Sequence, residues 1–149
     1  MATQSSSSVS VTGGSITNTK VFDLIEDGTV SATAATGAIN YDVRTQTVLY
    51  YTTNASATWT LNIRGDSSTT LDSMMANGDS TTLAFLVTQG STTYYCTGVS
   101  VDSVSVTPLW QGGTAPTSGN ASGVDAYSYT VIKTASSTFK VFASQTQFK

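Results

Sequence analysis

The chain has 149 residues with six basic and nine acidic side chains, a net charge of −3, no histidine and one cysteine. That is one ordinary domain with room for a short appended segment. The scattered bases cannot neutralise a run of phosphates, which argues against nucleic acid; without histidine there is no Ser-His triad, a lone cysteine offers neither an intrachain disulfide nor a cysteine zinc site, and no stretch approaches the roughly 18 apolar residues of a membrane helix.

Residues 1–19 read as an N-terminal arm and residues 20–149 as a β-sandwich domain. The opening Met-Ala-Thr-Gln and four serines have neither a basic region nor an apolar core, so no secretory signal is expected. In the arm, Ser8-Val9-Ser10-Val11-Thr12 alternates with period two, stops at Gly13-Gly14, and gains one further apolar point at Ile16. So thin a strand needs a partner from this chain or a neighbour, which marks Val9, Val11 and Ile16 as assembly residues.

Val21–Ile25 fits either a strand or a helical turn, followed by the turn signal Glu26-Asp27-Gly28. Gly28–Gly37 is small and polar, the pattern of a loop or a weakly packed strand. Ala38–Val43 and Thr47–Thr52 are strand-like, and Arg44-Thr45-Gln46 between them suits a hairpin. Thr58–Arg64 alternates most cleanly, with Trp59, Leu61 and Ile63 on one side. A short helix is expected from a Thr69 or Thr70 cap to Asn77-Gly78, with Leu71, Met74 and Met75 plugging one end of the core.

Thr82–Thr88 is apolar on both faces, as in a central strand, and Gln89-Gly90-Ser91 is a turn. Tyr94–Val101 is expected to be a strand, interrupted at Asp102 and resumed to Pro108. A loop from Leu109 to Pro116 carries one aromatic anchor, Trp110. Ala126–Thr134 and Thr138–Ala143 are strands joined by Ala135-Ser136-Ser137. Ser and Thr make up about a third of the chain and charged residues only 10%, so hydroxyls supply the solubility. Eight to ten short strands at about 10-residue spacing predict an all-β antiparallel sandwich of jelly-roll or Greek-key type, with one short helix.

Little in the sequence promises chemistry. Asp23, Glu26 and Asp27 cluster in a turn, and Asp66, Asp72 and Asp79 flank the helix, where carboxylates serve as caps. Asp66-Ser67-Ser68 lacks the alternating acids of a calcium loop, and Gly112-Gly113 opens no phosphate-binding helix. Cys96 reads as a buried inert thiol. No catalytic residue, cofactor or metal is therefore expected. Tyr50-Tyr51 and Tyr94-Tyr95 are adjacent pairs, so one member of each should point outward, toward a neighbouring subunit or a sugar.

The order Trp110-Gln111-Gly112-Gly113-Thr114-Ala115-Pro116, Gly119-Asn120, Gly123–Thr134 and Phe139–Phe148 resembles a terminal module of structural proteins of tailed phages, marine and cyanobacterial phages above all. The likeness reaches back to about Ala38. Trp110, Gly112, Gly113, Pro116 and Asp125 are its structural motif: an aromatic anchor, two permissive backbone turns, a stiffened exit and an acceptor for loop N–H groups. The resemblance implies a non-enzymatic protein of the virion exterior, made in the host cytoplasm. It would be a tail-fibre or baseplate appendage, a homotrimer partnered by other virion proteins, with a role in host attachment. A head decoration protein and a carbohydrate-binding module for host surface glycan are the alternatives.

Overall fold

The computed structural model describes Lys20, Phe22 and residues 25–149. The arm with Val9, Val11 and Ile16 lies outside them, as does most of Val21–Ile25. The described residues form an all-β sandwich of two facing sheets with one short helix.

Ten strands follow in order: β1 (Gly28–Ala34), β2 (Gly37–Asp42), β3 (Val48–Thr53), β4 (Trp59–Arg64), then helix α1 (Leu71–Met74), β5 (Ser80–Thr88), β6 (Cys96–Val101), β7 (Val104–Val106), β8 (Leu109–Trp110), β9 (Val124–Ala135) and β10 (Thr138–Phe148). One sheet has six strands in the order β1-β3-β5-β9-β10-β8, the other four in the order β2-β4-β6-β7. From β1 to β6 successive strands alternate between the sheets. Each strand–corner–strand arch therefore adds one strand to each sheet, and every new strand runs parallel to the one two places before it.

This corrects the antiparallel jelly-roll expectation: five of the eight strand pairings are parallel, and only β5–β9, β9–β10 and β6–β7 are antiparallel. It also corrects the hairpin expected at Arg44-Thr45-Gln46. That segment is a corner carrying the chain across the core, held by Thr45 N and Gln46 Nε2 donating to Asp42 O at 3.0 and 2.9 Å. Ile39 and Tyr41 face Leu49 across the interior, an alternation identical to that of two strands side by side. Gly28–Ala34 is a strand on the rim of the larger sheet, with Val30 73% exposed.

The core lies between the sheets. Trp59, Leu61 and Ile63 of β4 meet Leu83, Phe85 and Val87 of β5 and Tyr127, Tyr129 and Val131 of β9. The Trp59 ring stands edge-on to Phe85 and Tyr127 at 6.2 and 5.6 Å between centroids, the offset that aromatic quadrupoles favour. As its two apolar faces imply, β5 is central, between β3 and β9.

Helix α1 starts where expected, with Thr70 Oγ1 accepting from Ser73 N at 3.2 Å. It ends after a single turn, short of Asn77-Gly78, because Lys133 Nζ donates to Asp72 O and Met75 O at 2.7 and 2.8 Å and Gly78 N donates to Lys133 O. In so short a helix Leu71 is buried and Met75 packs on the core, while Met74 turns 44% outward and plugs nothing.

Candidate functional site

The Trp110–Asp125 segment surrounds one end of the sandwich, where residues 118–123 lie against the β5–β6 connection. Strand parity builds this end. Leu83, Phe85 and Val87 point inward along β5, and Gln89, two residues further, continues inward; along β9 the inward positions are Asp125, Tyr127, Tyr129, Val131 and Lys133. Two polar side chains thus meet at the end of the core. Gln89 Nε2 donates to Asp125 Oδ2 at 2.9 Å and to Tyr94 O at 2.8 Å, and Tyr94 N donates to Gln89 Oε1 at 3.1 Å. The glutamine amide occupies the place of a strand partner for Tyr94, so β6 begins at Cys96 rather than at Tyr94 as the alternation suggested.

Asp125 is fully buried and accepts from Asn120 N at 3.2 Å, as expected of a carboxylate gathering loop N–H groups. Burial pushes its carboxyl above the usual range, and the Asn120 and Gln89 donors offset this only in part. Gly119 is required where the loop passes this carboxylate. A Cβ there would lie 2.6 Å from both Asp125 Oδ2 and Tyr94 O. Asn120 Nδ2 donates to Phe148 O at 2.8 Å, which ties the loop to the end of β10.

Trp110 is half-buried, edge-on to Tyr127 and Tyr129 at 6.5 and 6.2 Å, and anchors the loop's entry. Gly112 and Gly113 take φ of +75° and +78°, a left-handed turn closed to most side chains. Pro116 is half-buried at the exit. Of the tyrosine pairs, Tyr50-Tyr51 divides as expected, with Tyr51 inward and Tyr50 on the opposite face of β3, and Tyr94-Tyr95 does not. Tyr50, Tyr51, Tyr94 and Tyr95 are all half-buried; Tyr51 packs edge-on to Phe85 at 5.1 Å, and Tyr94-Tyr95 lies outside the strands, so alternation does not apply to it.

The carboxylates of the folded body are engaged one by one. Asp42 pairs with Arg64 at 2.6 Å and Asp66 with Arg44 at 2.7 Å. Asp72 pairs with Lys133 at 2.8 Å and accepts from Ser137 N; Asp79 accepts from Ala76 N. Asp102 reaches from the β6–β7 turn to accept from Leu71 N and Asp72 N at 2.8 and 2.9 Å, capping α1 from outside. Hydrogen bonds from Ser68 and Thr69 hold the Asp66 carboxyl well below its ordinary value, and Lys133 followed by Ser137 lowers that of Asp72. Cys96 is buried, its thiol pushed up by desolvation, and it donates to Gly98 O at 3.3 Å. Beside it Tyr129 Oη and Trp59 Nε1 are buried with no hydrogen-bond partner among the described residues. No group of three or more metal-ligating side chains occurs among the described residues.

Gln89, Asp102 and Lys133 are the structural residues that sequence reading passed over. For Gln89 and Lys133 the signal was present: both extend the inward parity of an apolar strand by one step. Asp102 had none, because its partners lie 30 and 31 residues away. Next to the Gln89–Asp125 network an open concavity of about 620 Å³ is bordered by Asn54, Ser91, Ser122 and Phe148. Compared with known proteins, the chain matches no family model, no curated protein and no solved structure.

Proposed function

We propose that the protein is a structural component of a tailed-phage virion, carried on the particle exterior as a tail-fibre or baseplate appendage and acting through self-assembly and contact with other virion proteins. One observation carries most weight: the residues resembling the phage module spend their chemistry on the fold. Trp110 and Asp125 fasten the loop, the glycines turn it, and the aspartates from Asp42 onward cap, pair or bridge backbone. What remains for function is surface, which suits a protein that works by assembling. Threefold symmetry follows from the likeness to phage fibre and decoration proteins, and low charge favours close self-association.

Gold labelling with a specific antibody on purified particles tests this. Label at the tail or baseplate is expected; a symmetric lattice over the head faces would transfer the protein to the decoration class, and unlabelled particles would overturn the virion reading. Light scattering should report three times the chain mass, and a dimer would sink the threefold assignment. A second reading, glycan binding, is favoured by the concavity, where the 55%-exposed Phe148 ring stands near the Asn54 amide and two serine hydroxyls. Glycan-array binding lost in Phe148→Ala would support it; an array without signal would remove it.

A further inference from the structure

The two sheets of the sandwich turn very different outer faces away from the core. On the four-stranded sheet the outer side chains are polar and satisfied by one another. Asp42 pairs with Arg64, Asn62 Nδ2 donates to Asn40 Oδ1 at 2.9 Å, and Ser100 Oγ donates to Asn62 Oδ1 at 3.0 Å. That ladder suits water. The outer face of the six-stranded sheet has another character. Its registers align Val30, Tyr50, Leu86, Ala126 and Thr146 in one row across five strands. A second row runs Val48, Ala84, Ser128 and Ser144, and a third Thr82, Thr130, Phe142 and Leu109.

This face is almost without charge. Strands β1, β3, β5 and β8 contain no charged residue; in β9 and β10, Asp125 and Lys133 point inward, which leaves Lys140 alone on the outside. Five of the nine large exposed apolar side chains among the described residues share it: Val30, Val48, Leu109, Phe142 and Phe148. Isolated exposed apolar residues need no explanation, but a continuous uncharged patch over a whole sheet marks a contact surface.

We infer that the outer face of the six-stranded sheet is the surface on which a second copy of this chain packs. The inference rests on the self-assembly reading above and assigns it a place. The occupant follows from charge. The chain carries −3 overall, so two copies meet at least electrostatic cost through a face with one charge on it, whereas a strongly charged partner would find at most Lys140 to pair with. The size fits as well. Six strands about 4.8 Å apart and roughly 25 Å long give a footprint of roughly 600 Å². That approaches the ~800 Å² per partner of a standard interface. Three such sheets around a threefold axis would enclose a prism with these faces inside.

The test is light scattering of the full chain and of single variants across a micromolar dilution series. Phe142→Lys and Val30→Lys, at separate points of the face, should each weaken association about 30-fold or more while keeping the β-type far-UV spectrum. Thr60→Lys, on the polar outer face of the other sheet, should associate like the parent. Oligomers unaffected by both face variants, or disrupted equally by Thr60→Lys, would overturn this assignment and leave self-assembly standing. A parent chain that is monomeric throughout would overturn both.

Discussion

At the scale of single residues, the end of the sandwich depends on a buried carboxylate with amide and backbone donors in place of a cation. Asp125→Ala would leave one N–H of the Gln89 amide, whose other stays on Tyr94 O, and the Asn120 N–H without an acceptor in a closed environment. Each such group costs about 1–3 kcal/mol, so chemical denaturation should show a loss of about 2–4 kcal/mol. The pH dependence has a definite sign. Burial raises the Asp125 carboxyl, so the folded state holds its proton more tightly than the unfolded chain, and this residue's contribution falls as pH rises through and above about 4. Asp66 and Asp72 are lowered and act oppositely: their contribution is full above about 4 and is lost as pH falls further. Asp125→Asn should therefore gain stability relative to the parent between about pH 4 and 7, read from paired unfolding curves. The glycines separate by mechanism. Nothing lies within 4 Å of a Cβ at Gly112, so Gly112→Ala meets only its positive φ, about 1 kcal/mol. Gly119→Ala collides with Asp125 and Tyr94 and should cost clearly more in the same melts.

At the scale of elements, distant parts of the chain complete one another's backbone hydrogen bonding. Helix α1 is too short to stand alone: Asp102 supplies acceptors at its start and Lys133 takes the carbonyls at its end. Asp102 also sits at φ +50° in the tight β6–β7 turn, a conformation that Asp and Asn tolerate best. Asp102→Asn should therefore keep the turn but lose one of the two acceptors, and cost less than Asp102→Ala, which loses both and should cost about 1–2 kcal/mol in thermal unfolding. Trp110→Ala tests the next connection. The ring covers Tyr127 and Tyr129 at the inner side of β8, and its removal should cost about 3 kcal/mol. A loss under about 1 kcal/mol would mean that the loop is held by Asp125 alone.

At the scale of the whole molecule, the sandwich is closed on its inside and unequal on its outside. Its core draws on both sheets, and every buried residue described lies in residues 35–143. Removal of residues 1–19 should leave the β-type far-UV spectrum intact and lower the oligomer fraction seen by light scattering; loss of the spectrum would make that segment part of the core. The outer face of the six-stranded sheet carries Lys140 as its one charge, so the packing inferred above would strip little charge of water. The outer face of the four-stranded sheet carries the polar ladder of Asp42, Arg64, Asn40, Asn62 and Ser100.

Composition and period by themselves determined the class of this protein. An abundance of Thr, Ser and Gly with few charges and repeated two-residue alternation leaves little besides an all-β sandwich, and the alternation of Trp59, Leu61 and Ile63 or of Leu83, Phe85 and Val87 names core residues directly. The motif's glycines and Asp125 were legible too, because positive φ and N–H acceptance are local demands that one residue type meets best. Which strand pairs with which was decided only in three dimensions. Strands beside one another in a sheet and strands facing one another across a core carry the same period, so the Arg44–Gln46 corner looks like a hairpin until the partners of β2 and β3 are known. The Asp102 cap and the Gln89 bridge to Tyr94 likewise depend on which chain segments become neighbours, and an alternating pattern holds no record of that.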